Sequence, residues 1–190
     1  MFRMLFCIFV GVMMVPIGLV VWFYRGNVPV AVADPPLPYE REITGIALNS
    51  RIDKELILMP PVHPEEKTFI AGAHVYVEKC AVCHGVHGRS SAMGDNLFPA
   101  APQLWEKHHN SSIVGVSDDP PGETYWKVAN GIRLTGMPEF RTMLSDTEMW
   151  QVSVLLANAD KPLPPAALSL LRGEPDANTS QAGTPASSPQ

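Results

Sequence analysis

Cys80-Ala81-Val82-Cys83-His84 is the stretch on which the reading of this chain turns. Two thiols three residues apart, followed directly by an imidazole, form the Cys-x-x-Cys-His pattern of covalent haem c attachment. The spacing has a chemical reason. At a helix end, each thiol can add to one vinyl group of the same porphyrin edge, and His84 then lies under the iron as an axial ligand. Two other uses of a cysteine pair fit less well. A thioredoxin-like redox motif needs a βαβ surround, and the flanking sequence offers little that reads as strand. A zinc site needs a second ligand pair, whereas the third cysteine, Cys7, lies in an apolar stretch.

Working outward, helix signals flank the motif. Phe69, Ala73, Tyr76, Val77 and Cys80 recur at spacings of three and four, which predicts a helix from Glu66 to Ala81. Pro120-Pro121-Gly122 before and Gly131 after bracket a second helix, Glu123 to Asn130. Ser145-Asp146-Thr147-Glu148 is a capping box, opening a third helix that runs through Met149, Trp150, Val152 and Leu155 to Asn158, before Pro162. Three short helices and long loops in a unit of about 100 residues, 65–164, bury too little apolar surface unaided. A single covalently held haem would complete that core.

The iron needs a sixth ligand if it is to be closed. Met137 is the first candidate, because it stands in a Gly-bounded loop, Gly131 to Gly136, followed by Pro138. A thioether is soft and neutral, and His/Met ligation raises the reduction potential. Met93 and Met143 are the other methionine candidates. His87 is too near His84 in sequence to reach the opposite haem face, and His108-His109 sits in a polar stretch.

From about Lys67 to Lys161 the chain resembles a class I monohaem cytochrome c domain of the bacterial group that includes the cytochrome subunits of cbb3-type oxidases. The resemblance rests on Gly72-Ala73-His74-Val75-Tyr76 leading into Cys80-Ala81-Val82-Cys83-His84-Gly85, on Pro102-Gln103-Leu104, on Gly131-Ile132 through Met137-Pro138, and on the helix around Trp150. It implies an all-α fold whose first and last helices cross around the haem. It also implies that Pro102 and Leu104 line the cofactor, with the Pro102 carbonyl accepting the second N–H of His84. Pro99 is the competing acceptor. Implied partners are a redox donor and a redox acceptor of a respiratory chain.

The remaining residues divide by composition. Met4 to Tyr24 is an uncharged apolar run bracketed by Arg3 and Arg25, with Trp22, Phe23 and Tyr24 at its far end. A helix of that length spans roughly 30 Å, the bilayer core, so residues 1–27 are expected to be a single-pass anchor in a bacterial inner membrane, with the haem domain in the periplasm. Ala31-Val32-Ala33 fits a signal-peptidase site and leaves cleavage before Asp34 open. Residues 28–64 hold seven prolines (29, 35, 36, 38, 60, 61 and 64), which predicts an extended tether without a long helix. Residues 165–190 are expected to be a disordered tail, most clearly from Gly173 onward.

Charge and chemistry narrow the function. With 14 basic against 19 acidic residues the net charge is −5, so nucleic acid is not an expected partner. Between Lys67 and Lys161 there are 8 basic and 10 acidic residues, a nearly neutral balance that predicts modest salt dependence in docking. Iron closed by His84 and Met137 leaves no open position, so an electron carrier, not an enzyme, is the leading expectation. The alternatives are a cytochrome subunit of a larger dehydrogenase or oxidase, and a haem sensor or peroxidase with a labile Met137. Arg133 and Arg141 flank that loop, but the sequence marks no distal group committed to peroxide chemistry.

Overall fold

The computed structural model describes residues 2–26, 28–109 and 111–174. The chain forms two compact units, Met1–Gly45 and Ile46–Gln190. The first contains α1, Phe2–Tyr24, a 23-residue helix with no buried residue. After it, the Asp34 carboxylate accepts the backbone N–H groups of Val30 and Ala31 at 2.9 Å each, so Ala31-Val32-Ala33 lies in a closed turn.

The tether expectation for 28–64 is corrected by α2, Glu40–Glu55. The prolines fall in two groups, 29–38 and 60–64, and leave residues 39–59 free of proline. Proline forbids a helix only where it sits. Glu40 and Glu42 in the first turn and Lys54 in the last suit the helix dipole, and Arg51 pairs with Glu55 at 2.7 Å. Its C-terminal part belongs to the second unit, where Ile52 is buried and Glu55 accepts the indole N–H of Trp126 at 2.8 Å.

The second unit is helical, with two isolated β-bridges and no strand among the described residues. The helix expected over Glu66–Ala81 is α3, Glu66–Val75, continued by a π-helical segment, Tyr76–Cys80, and then α4, Ala81–His84. A short α5, Ala92–Asp95, follows the motif. Next come α6, Pro121–Asn130, with Pro121 in its first turn, and α7, Asp146–Leu156, opened by the Ser145/Glu148 capping box. Helices α3 and α7 cross closely at Gly72, where a Cβ would lie 2.5 Å from the Gln151 carbonyl oxygen. Any side chain there would drive the two helices apart.

The expected tail from 165 is also corrected. Pro165–Arg172 is helix α8, with Ala167 and Leu171 fully buried. Pro164-Pro165 opens this helix because proline is tolerated in a first turn, where its missing N–H has no intrahelical partner to lose. The part of the tail expectation over 175–190 lies outside the described residues. The core therefore extends past Pro164, joining Tyr76, Trp105, Tyr125, Met149, Trp150, Leu155 and Leu171. Within it the Tyr125 ring stacks on Trp150 at 4.1 Å, tying α6 to α7.

Candidate functional site

The motif sits where one helical run ends. α3 leads into the π segment, which carries Cys80 at its last position, and α4 carries Cys83 and His84. Gly85 terminates the run with φ +70°, a conformation glycine adopts without steric cost. Cys80 and Cys83 are free and half-buried. Burial pushes the Cys80 thiol up to about 12, and the neighbouring Cys83 adds to the rise.

His84 is oriented by a backbone carbonyl. Its Nδ1 lies 2.8 Å from the Pro102 oxygen. A carbonyl only accepts, so the proton resides on Nδ1 and the lone pair on Nε2, the nitrogen then free to bind a metal. Burial lowers the pKa of the ring, against an opposing rise from the Pro102 bond, and this favours the neutral imidazole a metal requires. Pro99, the other candidate acceptor, makes no such bond; the Nδ1 contact of His84 goes to Pro102. Leu104 is buried in the core beside Trp105.

A second turn presses on the motif from the loop side. The Ser91 hydroxyl donates to the Val82 carbonyl at 2.5 Å and accepts from Gly94 N at 3.1 Å. Gly94 lies so close to Cys83 that a Cβ there would fall deep inside the carbonyl oxygen. These contacts join residues about ten positions apart, so nothing local in the sequence announces them.

Met137 stands on a short built turn. Ile132 N donates to the Met137 carbonyl at 3.2 Å, and Met137 N donates to the Thr135 hydroxyl, which itself donates to Ile132 O at 2.7 Å. Gly131 adopts φ +64°, and a Cβ on it would meet Glu139 N at 2.7 Å. Met137 packs partly buried against the core. Met93 and Met143 are more than half exposed, and His87, His108 and His109 lie at the surface. Arg133 and Arg141 are exposed as well.

The residues present fit a haem c. Two free thiols and a carbonyl-anchored imidazole are the groups that would attach and ligate it. In the segment that anchors His84, Gln103 Nε2 and Trp105 Nε1 are buried donors without a hydrogen bond of good geometry. Trp105 Nε1 faces the Tyr76 hydroxyl but does not complete that bond. Orphaned donors cost free energy unless a partner satisfies them, and the carboxylates of a haem are acceptors of the right kind.

An all-helical fold with crossing α3 and α7, and a Cys-x-x-Cys-His at the end of the first, defines a class I c-type cytochrome domain. Residues 68–156 match the family model of cytochrome C oxidase, cbb3-type, subunit III, and this segment is a class I c-type cytochrome domain similar to those oxidase subunits. Such a domain carries haem c and transfers electrons. Among solved structures, a chain of the Kuenenia stuttgartiensis reducing HAO-like protein complex is 25% identical, with a TM-score of 0.41 over 55% of this chain and 49% of that one. The alignment thus spans about half the length of that structure. No curated protein matches the sequence.

Proposed function

We propose that the protein is a membrane-anchored monohaem electron carrier with His84 and Met137 as axial ligands and thioether bonds from Cys80 and Cys83. The observation that supports this reading is the His84 ring held by Pro102 O at 2.8 Å, which leaves Nε2 free to bind a metal. Pro102 and Leu104 contribute to the wall of the cofactor site, and Pro102 also raises the basicity of the imidazole. The haem supplies a one-electron Fe(III)/Fe(II) couple; the chain attaches it, orients its ligand and shields it from water. With both axial positions filled, the site suits a carrier and not an enzyme. α1 is long and apolar enough to cross a membrane, and a single inner-membrane span would leave the cytochrome domain in the periplasm. There it would meet its redox donor and acceptor in brief, small-area encounters. The match to an oxidase subunit favours one second reading, a cytochrome subunit of a larger complex. Co-purification from mild detergent as a stable assembly would select that reading over the free carrier.

The test has two arms. Holoprotein from a host that assembles cytochromes c should keep its haem through acid–acetone extraction; release of the haem would overturn thioether attachment. Met137→Ala should lower the potential, abolish the sulfur-to-iron charge-transfer band and open the iron to CO, while the parent binds CO slowly or not at all. An unchanged Met137→Ala spectrum would remove Met137 from the ligand set. A parent that binds CO readily would favour the sensor or peroxidase.

A further inference from the structure

We propose that Tyr76 is a positioning residue for the His84 ligand, its hydroxyl fixing the His84–Gly85 main chain relative to the Pro102 carbonyl that orients the imidazole. The inference rests on the reading of His84 as an iron ligand.

Tyr76 is fully buried. Its hydroxyl donates to Gly85 O at 2.8 Å and, more weakly, to His84 O at 3.2 Å. These carbonyls lie at the end of a helical run, where no further turn offers them an N–H. Gly85 is itself buried, so its carbonyl needs this donor. On its other side, the space of a Gly85 Cβ is occupied by the Gln103 side chain and, at 2.5 Å, by Arg89 O. Residue 85 is thus held between Tyr76 and the segment that follows Pro102.

The ring of Tyr76 makes the second half of the bridge. It packs edge-on against Trp105 at 5.4 Å and 87°. Trp105 lies three residues from Pro102 on the same short segment. One side chain therefore touches the main chain that follows His84 and a side chain of the segment that carries Pro102, the two pieces whose mutual position sets the His84 Nδ1 to Pro102 O bond. The π-helical turn begins at Tyr76 and ends at Cys80, and such turns inside helices are frequent at functional sites. Here it continues into the turn that carries His84, so the phenol also braces the segment bearing the first thioether cysteine. A phenylalanine would keep the packing on Trp105 and lose the tie to Gly85.

The consequence is electronic as well as structural. A histidine ligand that shares its Nδ1 proton with a carbonyl is a stronger donor to the metal. Loosening residues 84–85 lengthens that bond, weakens the donation and favours Fe(II). The experiment uses the full-length holoprotein in detergent, as parent, Tyr76→Phe and a variant carrying 3-fluorotyrosine at position 76. Tyr76→Phe should retain covalent haem and low-spin iron, with a raised potential and faster solvent exchange of the His84 Nδ1 proton by NMR. Fluorotyrosine is a stronger donor and should shift the potential the opposite way, which keeps the test decisive if the phenylalanine variant loads haem poorly. Tyr76→Phe that loses thermal stability while potential and Nδ1 exchange stay at parent values overturns the assignment and leaves a packing role alone. A parent whose spectrum survives His84→Ala overturns the ligand reading itself, and the Tyr76 assignment with it.

Discussion

At the scale of single residues, glycines test how tightly the motif is held. Gly94 sits against the Cys83 carbonyl with no room for a methyl group, and both partners are main chain that cannot rotate away. Gly94→Ala should therefore cost on the order of 3 kcal/mol, the upper range for overpacking, and holoprotein yield should fall sharply. Gly88, by contrast, has φ +82°, but a Cβ added to it would meet nothing within 4 Å. Gly88→Ala meets only backbone strain, about 1–2 kcal/mol, and should still load haem. Thermal melts of the two holoproteins check the order; equal losses would mean that the Cys83 approach is not what matters at Gly94. The approach of Gly94 to Cys83 is not legible in the sequence. Cys80, Cys83 and His84 stand out in the sequence by their spacing, and the proposed ligand Met137 by its Gly-bounded, Pro-followed loop. Ser91 on Val82 O, Gly94 on Cys83 O and Tyr76 on Gly85 O join residues that only the fold brings together.

At the scale of elements, the ones that can be read are those whose ends carry their own chemistry. Ser145 and Glu148 satisfy free donors at the start of α7, with Ser145 N to Glu148 Oε2 at 2.7 Å and Glu148 N to Ser145 Oγ at 3.3 Å. The Ser145 hydroxyl and then the Ser145 N–H lower the Glu148 pKa. A depressed acid stabilises the fold above its ordinary pKa, and that contribution is lost as pH falls through the folded-state value. Ser145→Ala should cost about 1 kcal/mol at pH 7, with the gap to the parent narrowing as pH falls below the ordinary carboxylate range. Denaturant melts across that range check this; a gap independent of pH would assign the whole effect to Ser145 Oγ accepting from Glu148 N and none to its bond with the carboxylate. α2 is hidden for the opposite reason. Ile52 is its sole buried residue, so no apolar stripe marks it, and the flanking prolines dominate the composition. α8 hides behind Pro164-Pro165, residues that punctuate a loop as readily as they start a helix, and the π turn at Tyr76–Cys80 has no local signature. Ile52→Ala should cost about 2–4 kcal/mol if α2 is part of the folded domain, whereas a mere tether would tolerate it without a change in melting.

At the scale of the whole molecule, the proposed anchor α1 would set where the cytochrome works. It has 23 residues and none is buried, and at 1.5 Å per residue it reaches about 34 Å, enough for a bilayer core of about 30 Å. Phe2, Phe6, Phe9 and Phe23 are all exposed, an apolar surface that water would drive into aggregation. Pro16 lies inside the helix, a placement that membrane helices tolerate. Trp22, Phe23 and Tyr24 end it where aromatic rings favour the interface. The full chain should therefore stay in the membrane after carbonate washing, with its N-terminus intact. A chain beginning at Pro38 behind a cleavable export signal keeps α2 whole and should be soluble, with the optical spectrum, potential and melting temperature of the parent. A soluble parent whose mature N-terminus is Asp34 would show that Ala31-Val32-Ala33 is cut, and would reduce α1 to a signal. A truncated chain that loads haem but melts well below the parent would show instead that residues before Pro38 contribute to the stability of the holoprotein.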